Sequence, residues 1–204
     1  MNDKTLIQIQ NLSVHFPIKR GVFSKTVRLK AVDNISFNIM RGETLGLVGE
    51  SGSGKTTIGR ALLNTLNETQ GEITYKTENE EINTSTLKGK TLRKFRRRMQ
   101  LIFQDPYTSL SPRMTVRDII AEPIEASGSS QGVEDTNQKV RDIAARCRLN
   151  VEHLRRFPHA FSGGQRQRIS IARSLVTNPE FVVCDESVAA LDVSIQADVL
   201  NLLK

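Results

Sequence analysis

Apolar and polar residues alternate through the first part of the chain. "IQIQNLSVHF" (residues 7–16) and "LKAVDNISFNI" (29–39) carry the two-residue period of half-buried strands, and predict an antiparallel β layer. The period then breaks. Thr44, Leu45, Gly46, Leu47 and Val48 form a short apolar run, predicting a strand buried on both faces, and Ile58, Ala61, Leu62 and Leu66 then recur at helical spacing. Residues 74–90, "TYKTENEEINTSTLKGK", are polar and turn-rich, as surface strands and loops are. Two helical patterns follow, "TVRDIIAEPI" and "NQKVRDIAARCRL", separated by "SGSSQG", which reads as a flexible loop. A third helix has Ile169, Ala172, Leu175 and Val176 as its buried stripe, and "FVVCDE" (181–186) reads as a buried parallel strand ending in two acids.

Composition limits the setting. A chain of 204 residues with 38% hydrophobic content can build one sizeable core with a smaller lobe inserted. No apolar run approaches the ~18 residues of a membrane span, and "MNDKTLIQIQ" lacks the layout of a secretory signal, so a membrane role is expected through a partner. Cys147 and Cys184 form no metal-like cluster. Cys184 closes an apolar run, which predicts a buried free thiol in a reducing compartment, the cytoplasm. His15, His153 and His159 have no metal-like spacing either. The net charge is +7, and "LRKFRRRMQ" (92–100) concentrates five basic residues. With 5% aromatics and no visible stacking platform, this reads as a solvated basic face on a helix, one that could meet anionic lipid headgroups, rather than a nucleic-acid surface.

The densest chemistry sits where the short strand turns into the helix. "GESGSGKTT" comprises Gly49, Glu50, Ser51, Gly52, Ser53, Gly54, Lys55, Thr56 and Thr57. The spacing from Gly49 to Gly54-Lys55-Thr56 is that of a phosphate-binding loop, whose glycines let backbone N–H groups close around phosphate oxygens. Lys55 would place a charge on the β and γ phosphates, Thr56 would offer its hydroxyl to Mg²⁺, and the helix N-terminus would favour the same anion. Downstream, Asp185 and Glu186 stand at the carboxyl end of a parallel strand, where such sheets bind ligands. Asp185 suits Mg²⁺ coordination and Glu186 suits activation of water. In "FSGGQRQRISIARSLV" (161–176), Ser162 can cap a helix whose start, with Gly163 and Gly164, is a second anion site.

Taken together, "GESGSGKT", the glutamine of "FQDP", "FSGGQ", "FVVCD" with Glu186, and "ALD" resemble the ordered motif set of ABC-type ATPases over nearly the whole chain. That resemblance implies an α/β P-loop NTPase core with an antiparallel β layer and an inserted helical subdomain. Residues 1–204 would form a single nucleotide-binding domain. Within it, 1–104 would hold the β layer and Walker A core, 105–160 the helical subdomain that docks on a membrane partner, and 161–204 the signature helix, Walker B and D-loop. It also implies ATP and Mg²⁺, with Gln104 sensing the metal and the attacking water. Two such ATPase subunits would pair head to tail, so that Ser162, Gly163, Gly164 and Gln165 act on the partner's γ-phosphate. Adenine would stack on an aromatic of the β layer, Phe16 or Phe23, with core packing favoured for Phe16.

Longer stretches, among them "IFQDPYTSLSPRMTVRDIIAEPI" and "RFPHAFSGGQRQRISIAR", are similar to the ATPase subunits of peptide and nickel importers. This implies transmembrane permease subunits, a solute-binding protein met indirectly, and a peripheral position on the cytoplasmic face of the inner membrane, with no nucleic acid expected. The chain departs from the pattern at Ser187, where proline is usual, at Ala189, where the D-loop has serine, and at Ala160, often acidic. In the family a further strand, ending in a histidine that touches the γ-phosphate, follows the helix reaching Lys204. Without that strand the sheet centre would lack ladder partners, at ~1–3 kcal/mol per buried unsatisfied group. The expectation is therefore an importer ATPase truncated at its C-terminus, with an ATP-binding fragment of weak turnover or a soluble non-transport ABC ATPase as alternatives.

Overall fold

The computed structural model describes residues 4–18, 27–67, 69–77, 80–102 and 109–185. Its contacts divide the chain into two compact units, Met1–Leu92 and Arg93–Lys204.

The first unit contains a four-stranded antiparallel sheet in the order β2-β1-β3-β4, formed by β1 (Thr5–Ile18), β2 (Val27–Met40), β3 (Thr69–Lys76) and β4 (Glu81–Asn83). The alternation expected of β1 changes phase halfway, because Ile7 and Ile9 are followed by Leu12 and Val14, yet all four are buried. A bulge makes this possible. Asn11 adopts φ 50°, and the register against both neighbours slips between residue pairs 9–12 and 10–13. One extra residue thus returns the second half of the strand to the same face. Opposite it on β3, Gly71 takes φ +91°, and a Cβ there would lie 2.4 Å from the Asn11 carbonyl oxygen. Tyr75 and Ile73 complete the face from β3, and Leu62 and Leu63 are buried in the same unit.

Residues 43–50 do not form the expected strand. They carry no regular secondary structure, and Leu45, Leu47 and Val48 are 42%, 45% and 99% exposed. The reason is the absence of a neighbour: no strand among the described residues pairs with this segment. An isolated extended chain gains neither ladder hydrogen bonds nor apolar cover, so local β propensity alone cannot hold it as a strand. The helix after it does form, as α1 (Lys55–Leu62), with Gly59, Ala61 and Leu62 buried. Leu66 lies beyond its end and is half-buried.

The basic stretch is only partly helical. Helix α2 (Gly89–Phe95) ends with Arg93 and Lys94 exposed, and Arg96, Arg97 and Arg98 occupy the following turn.

In the second unit, β5 (Met99–Ile102) and β6 (Phe181–Cys184) pair in parallel. The Arg98 carbonyl accepts the N–H groups of Glu180 (2.8 Å) and Phe181 (3.0 Å), fixing the start of both strands. Strand β6 is half-buried rather than fully buried, and Cys184 is exposed, which corrects the expectation of a buried thiol there. The other cysteine, Cys147, is buried.

Helices α3 (Val116–Ser127), α4 (Val133–Arg146) and α5 (Gly163–Leu175) share one apolar core with β5. From α3 come Val116, Ile119, Ile120 and Ile124, from α4 Val140, Ile143 and Ala144, and from α5 Ile169, Ile171 and Ala172. Their spacing is the three- and four-residue repeat that sets one helical face against a core. Leu175 and Val176 pack on it as partly buried residues. Thr115 caps α3 by accepting the Asp118 N–H at 3.2 Å, and Gly128 closes it. The 127–132 connection is tied by side chains, with Ser127 Oγ to Ser129 Oγ and Ser130 Oγ to Thr136 Oγ1 both at 2.7 Å. Arg117 joins α3 to α4 through two bonds to Asn137 Oδ1, at 3.0 and 2.9 Å.

Candidate functional site

In the first unit the 49–57 segment is a loop closed by its own lysine. Lys55 Nζ donates to the carbonyls of Gly49 and Glu50, both at 2.8 Å, and a Ser53 N–H to Glu50 carbonyl bond of 3.2 Å forms the turn inside. An ammonium has three N–H donors, so these two bonds leave one for an anion. Gly54 is the N-cap of α1 with φ +95° and no side-chain cap. The first-turn amides of a helix have no partner within it and concentrate positive charge at that end.

Glycine geometry limits side chains in this loop, strictly at Gly54, where the neighbour is backbone, and less so at Gly49, where it is a rotatable serine hydroxyl. A Cβ at Gly49 would lie 2.6 Å from Ser53 Oγ, and one at Gly54 would lie 2.4 Å from the Ala31 carbonyl oxygen. Ser51 and Gly52 form the exposed outer turn, while Thr56 and Thr57 sit in the first turn of α1. Glycine backbone, one lysine and a bare helix start together fit a phosphate chain, so the residues present suit the nucleotide that the motif implies.

The second unit holds the other anion-type feature. Ser162 caps α5, and its Oγ accepts the Gln165 N–H at 3.3 Å. Gln165 Oε1 in turn accepts the Ser162 N–H at 3.0 Å, a complete capping box. Gly163 and Gly164 lie in the first turn and are half-buried. Arg166, which the motif reading left without a role, fixes this turn from behind by donating from Nε to the carbonyls of Pro158 (2.9 Å) and Phe161 (3.0 Å).

Asp185 follows β6 directly, at the carboxyl end of the parallel pair, and its N–H bonds the Ile102 carbonyl at 3.1 Å. Gln104, Glu186, Ser187, Ala189 and Phe23 lie outside the described residues. Phe16 is half-buried, opposite Leu29 on β2. No group of His, Cys, Asp and Glu among the described residues is arranged to hold a metal ion. His15 Nε2 lies 3.8 Å from Asp33, His153 meets the edge of Phe161, and His159 stacks on Phe157. No helix among the described residues is long and apolar enough to cross a membrane.

Arg173 and Ser174, at the end of α5, were also passed over. Burial pulls the Arg173 pKa below its ordinary value, and the nearby Glu122 carboxylate of α3 partly offsets that. The available signal was a cation and a hydroxyl directly after the buried pair Ile171-Ala172, but their partners lie 64 and 73 residues away in sequence.

Comparison with known proteins agrees with these features. The chain is 52% identical over 203 residues to the oligopeptide transport ATP-binding protein OppF of Streptococcus mutans, covering 100% of this chain and 63% of that protein. It is 47% identical over 199 residues to the glutathione import ATP-binding protein GsiA of Pectobacterium atrosepticum, covering 97% of this chain and 31% of that protein. It thus spans less than two thirds of the length of either relative. Among solved structures, a dimeric ATP-binding cassette in a post-hydrolysis state, bound to ADP and Pi, matches with a TM-score of 0.82 at 26% identity, over 97% of this chain and 81% of that one. The ABC transporter family matches residues 32–189, and with identities of this order along the whole chain this shows that the protein belongs to that family and has its α/β P-loop ATPase fold.

Proposed function

We propose that the chain binds and hydrolyses ATP to energise import of peptides through a membrane transporter. The observation that carries this reading is the Lys55 loop, in which glycine backbone, a tethered ammonium and the start of α1 converge. The residues of 49–57 would hold the triphosphate, with Lys55 on the β and γ phosphates. Thr56, Gln104 and Asp185 would hold Mg²⁺, which when bound neutralises phosphate charge. Glu186 would take the proton of the attacking water, and Gln104 would orient that water.

The capping box at Ser162 and Gln165 suits action in trans. Ser162 Oγ accepts a bond through a lone pair, which leaves its O–H to donate, and Gln165 uses only its carbonyl oxygen, which leaves its NH₂. With the amides of Gly163 and Gly164 these would meet the γ-phosphate of a second ATPase subunit paired head to tail. The dimeric cassette among the structural relatives supports the pairing of two such subunits. Both importer relatives carry peptide-class solutes in their names, glutathione being a tripeptide, which favours peptides over nickel. The subunit would lie at the cytoplasmic face of the membrane against permease subunits, receiving solute through a binding protein.

A second reading keeps ATP binding without turnover. It is favoured by the bare 43–50 segment, whose apolar side chains lie open to solvent directly before the loop. The deciding experiment measures Mg-ATP binding and steady hydrolysis together. Hydrolysis lost in Glu186→Gln with binding kept supports the first reading, and binding without hydrolysis in the unaltered chain supports the second. Lys55→Ala that binds and hydrolyses normally would overturn both. Peptide uptake against nickel uptake in cells expressing Lys55→Ala tests the solute class.

A further inference from the structure

The peptide that joins Phe161 to Ser162 is held at both of its polar ends. Its carbonyl oxygen, that of Phe161, accepts from Arg166 Nε at 3.0 Å, and its N–H, that of Ser162, donates to Gln165 Oε1 at 3.0 Å. The carbonyl of Ser162 itself accepts the Arg166 N–H at 2.9 Å. Arg166 therefore meets the chain on both sides of the Ser162 Cα, with its guanidinium before and its backbone amide after.

The guanidinium extends this hold backwards. Nε also donates to the Pro158 carbonyl at 2.9 Å, which accepts the Phe161 N–H at 3.1 Å, and Nη2 reaches the His159 carbonyl at 3.4 Å. The short 3₁₀ turn Pro158–Ala160 is thus tied to α5, and Ser162, which is exposed, stands at the junction.

Helical side chains lean towards the helix N-terminus, so residue 166, four places beyond the cap, reaches back to the residue before the cap. Those two positions often carry an apolar pair that fixes the entry of the chain into the helix. Here Phe161 is buried, yet its counterpart is an arginine bonded to its carbonyl. A cation near a helix N-terminus gains nothing from the helix dipole, which favours anions there. An aliphatic side chain would close the entry without that charge, whereas the planar guanidinium fork fixes the direction of the carbonyls it meets. A peptide plane pinned at both ends sets ψ of Phe161 and φ of Ser162, here 147° and −65°. Those angles decide where the Ser162 Cα–Cβ bond points.

We propose that Arg166 is a positioning residue for Ser162: together with Gln165 it locks the Phe161–Ser162 peptide plane, and so aims the Ser162 hydroxyl at the γ-phosphate held by a second subunit. This rests on the action in trans proposed for Ser162 above.

The test uses the full-length protein carrying Glu186→Gln, with Arg166→Met and Arg166→Lys each made alone and together with Ser162→Ala. Two quantities are read, the Mg-ATP affinity of the dilute, unpaired subunit and the Mg-ATP-driven pairing seen by light scattering. Arg166→Met should weaken pairing about tenfold while nucleotide affinity stays within about twofold, and Arg166→Lys, which keeps one reaching donor group, should recover part of the loss. With Ser162→Ala present, Arg166→Met should change pairing less than about twofold, since a residue acting through another has nothing left to act on. Equal losses with and without Ser162→Ala overturn the proposal, and so does a nucleotide affinity that falls as far as pairing does. Failure of the Glu186→Gln protein itself to pair would instead defeat the reading of Ser162 as acting in trans, and a second measurement then decides the inference. Hydrogen exchange at the Ser162 and Gln165 amides should quicken about tenfold in Arg166→Lys while the amides of residues 169–172 keep their protection. No change at Ser162, or a uniform rise along α5, overturns it.

Discussion

Ser162 and Gln165 each satisfy the other's backbone: Gln165 Oε1 accepts the Ser162 N–H at 3.0 Å, and Ser162 Oγ accepts the Gln165 N–H at 3.3 Å. The box serves α5 as a cap while the Ser162 O–H remains able to donate, and two substitutions separate these roles. Ser162→Ala removes both, and should cost about 1 kcal/mol of stability in a urea titration. Ser162→Asp keeps a strong N-cap and should melt within about a degree of the wild type, yet it sets a carboxylate where a γ-phosphate is expected. ATP-driven pairing of subunits, read by light scattering in the Glu186→Gln background, should disappear with Ser162→Asp. Pairing that survives would remove Ser162 from the phosphate site.

Gly54 is constrained twice, by φ +95° and by an Ala31 carbonyl oxygen 2.4 Å from where a Cβ would sit. Gly54→Ala should cost ~1–2 kcal/mol from the left-handed backbone alone, with the clash added to it. Gly46→Ala is the control, because nothing lies within 4 Å of a Cβ there. Urea midpoints should fall for Gly54→Ala and hold for Gly46→Ala, and the affinity for Mg-ATP should follow the same order.

The contrast between residues 44–48 and 49–57 shows what the amino-acid sequence carries by itself. The loop was legible because its requirements are local: glycine where a Cβ has no room, a lysine long enough to reach the carbonyls of Gly49 and Glu50, and a helix start. The strand before it was not, since a strand exists only with a neighbour and no described strand lies beside it. The β1 bulge falls between these cases. Alternation announced the strand, but only the pairing with β2 and β3 shows why Ile9 and Leu12 share a face. Arg173 was illegible for the same reason as the strand, its partner Ser109 being 64 residues away.

At the start of α3, the Thr115 hydroxyl donates to Asp118 Oδ2 at 2.6 Å, with the Arg117 guanidinium 3.1 Å from Oδ1. The hydroxyl first, and the guanidinium with it, hold the Asp118 pKa below the usual carboxylate value. A carboxylate with a depressed folded pKa adds stability above its unfolded pKa, and that share is lost as pH falls through the folded value. Between about pH 5 and pH 3 the wild type should therefore lose more stability than Asp118→Asn, whose amide does not titrate. Parallel losses in urea titrations across that range would show that Asp118 gives α3 nothing through its charge.

The two thiols should differ in reactivity. Burial pushes the Cys147 thiol up to about 12, whereas Cys184 is exposed. Since the thiolate is the nucleophile, a maleimide at pH 7.5 should label one thiol per 204-residue chain while it is folded and two in urea. Peptide mapping should place the first label on Cys184, and fast native labelling of Cys147 would show that the α4 core opens readily.

The lysine gives the most direct test of nucleotide binding. Two of its three N–H donors are spent on the Gly49 and Glu50 carbonyls, so Lys55→Met removes both the loop closure and the charge offered to phosphate. Those effects are separable. Loss of closure lowers the melting temperature without ligand, while loss of the phosphate contact removes the shift that ligand produces. At Mg-ATP about 100 times its dissociation constant, a folded site gains about 2.7 kcal/mol, worth several degrees in a domain of this size. The unaltered chain should show that shift and Lys55→Met should not. The open 43–50 segment makes the unliganded melt informative too: if that segment stays unpaired when nucleotide binds, its amides will exchange at the free rate with and without Mg-ATP. Protection of 44–48 on binding would mean instead that the nucleotide organises the strand the sequence predicts, bringing the apolar side chains of Leu45, Leu47 and Val48 out of water.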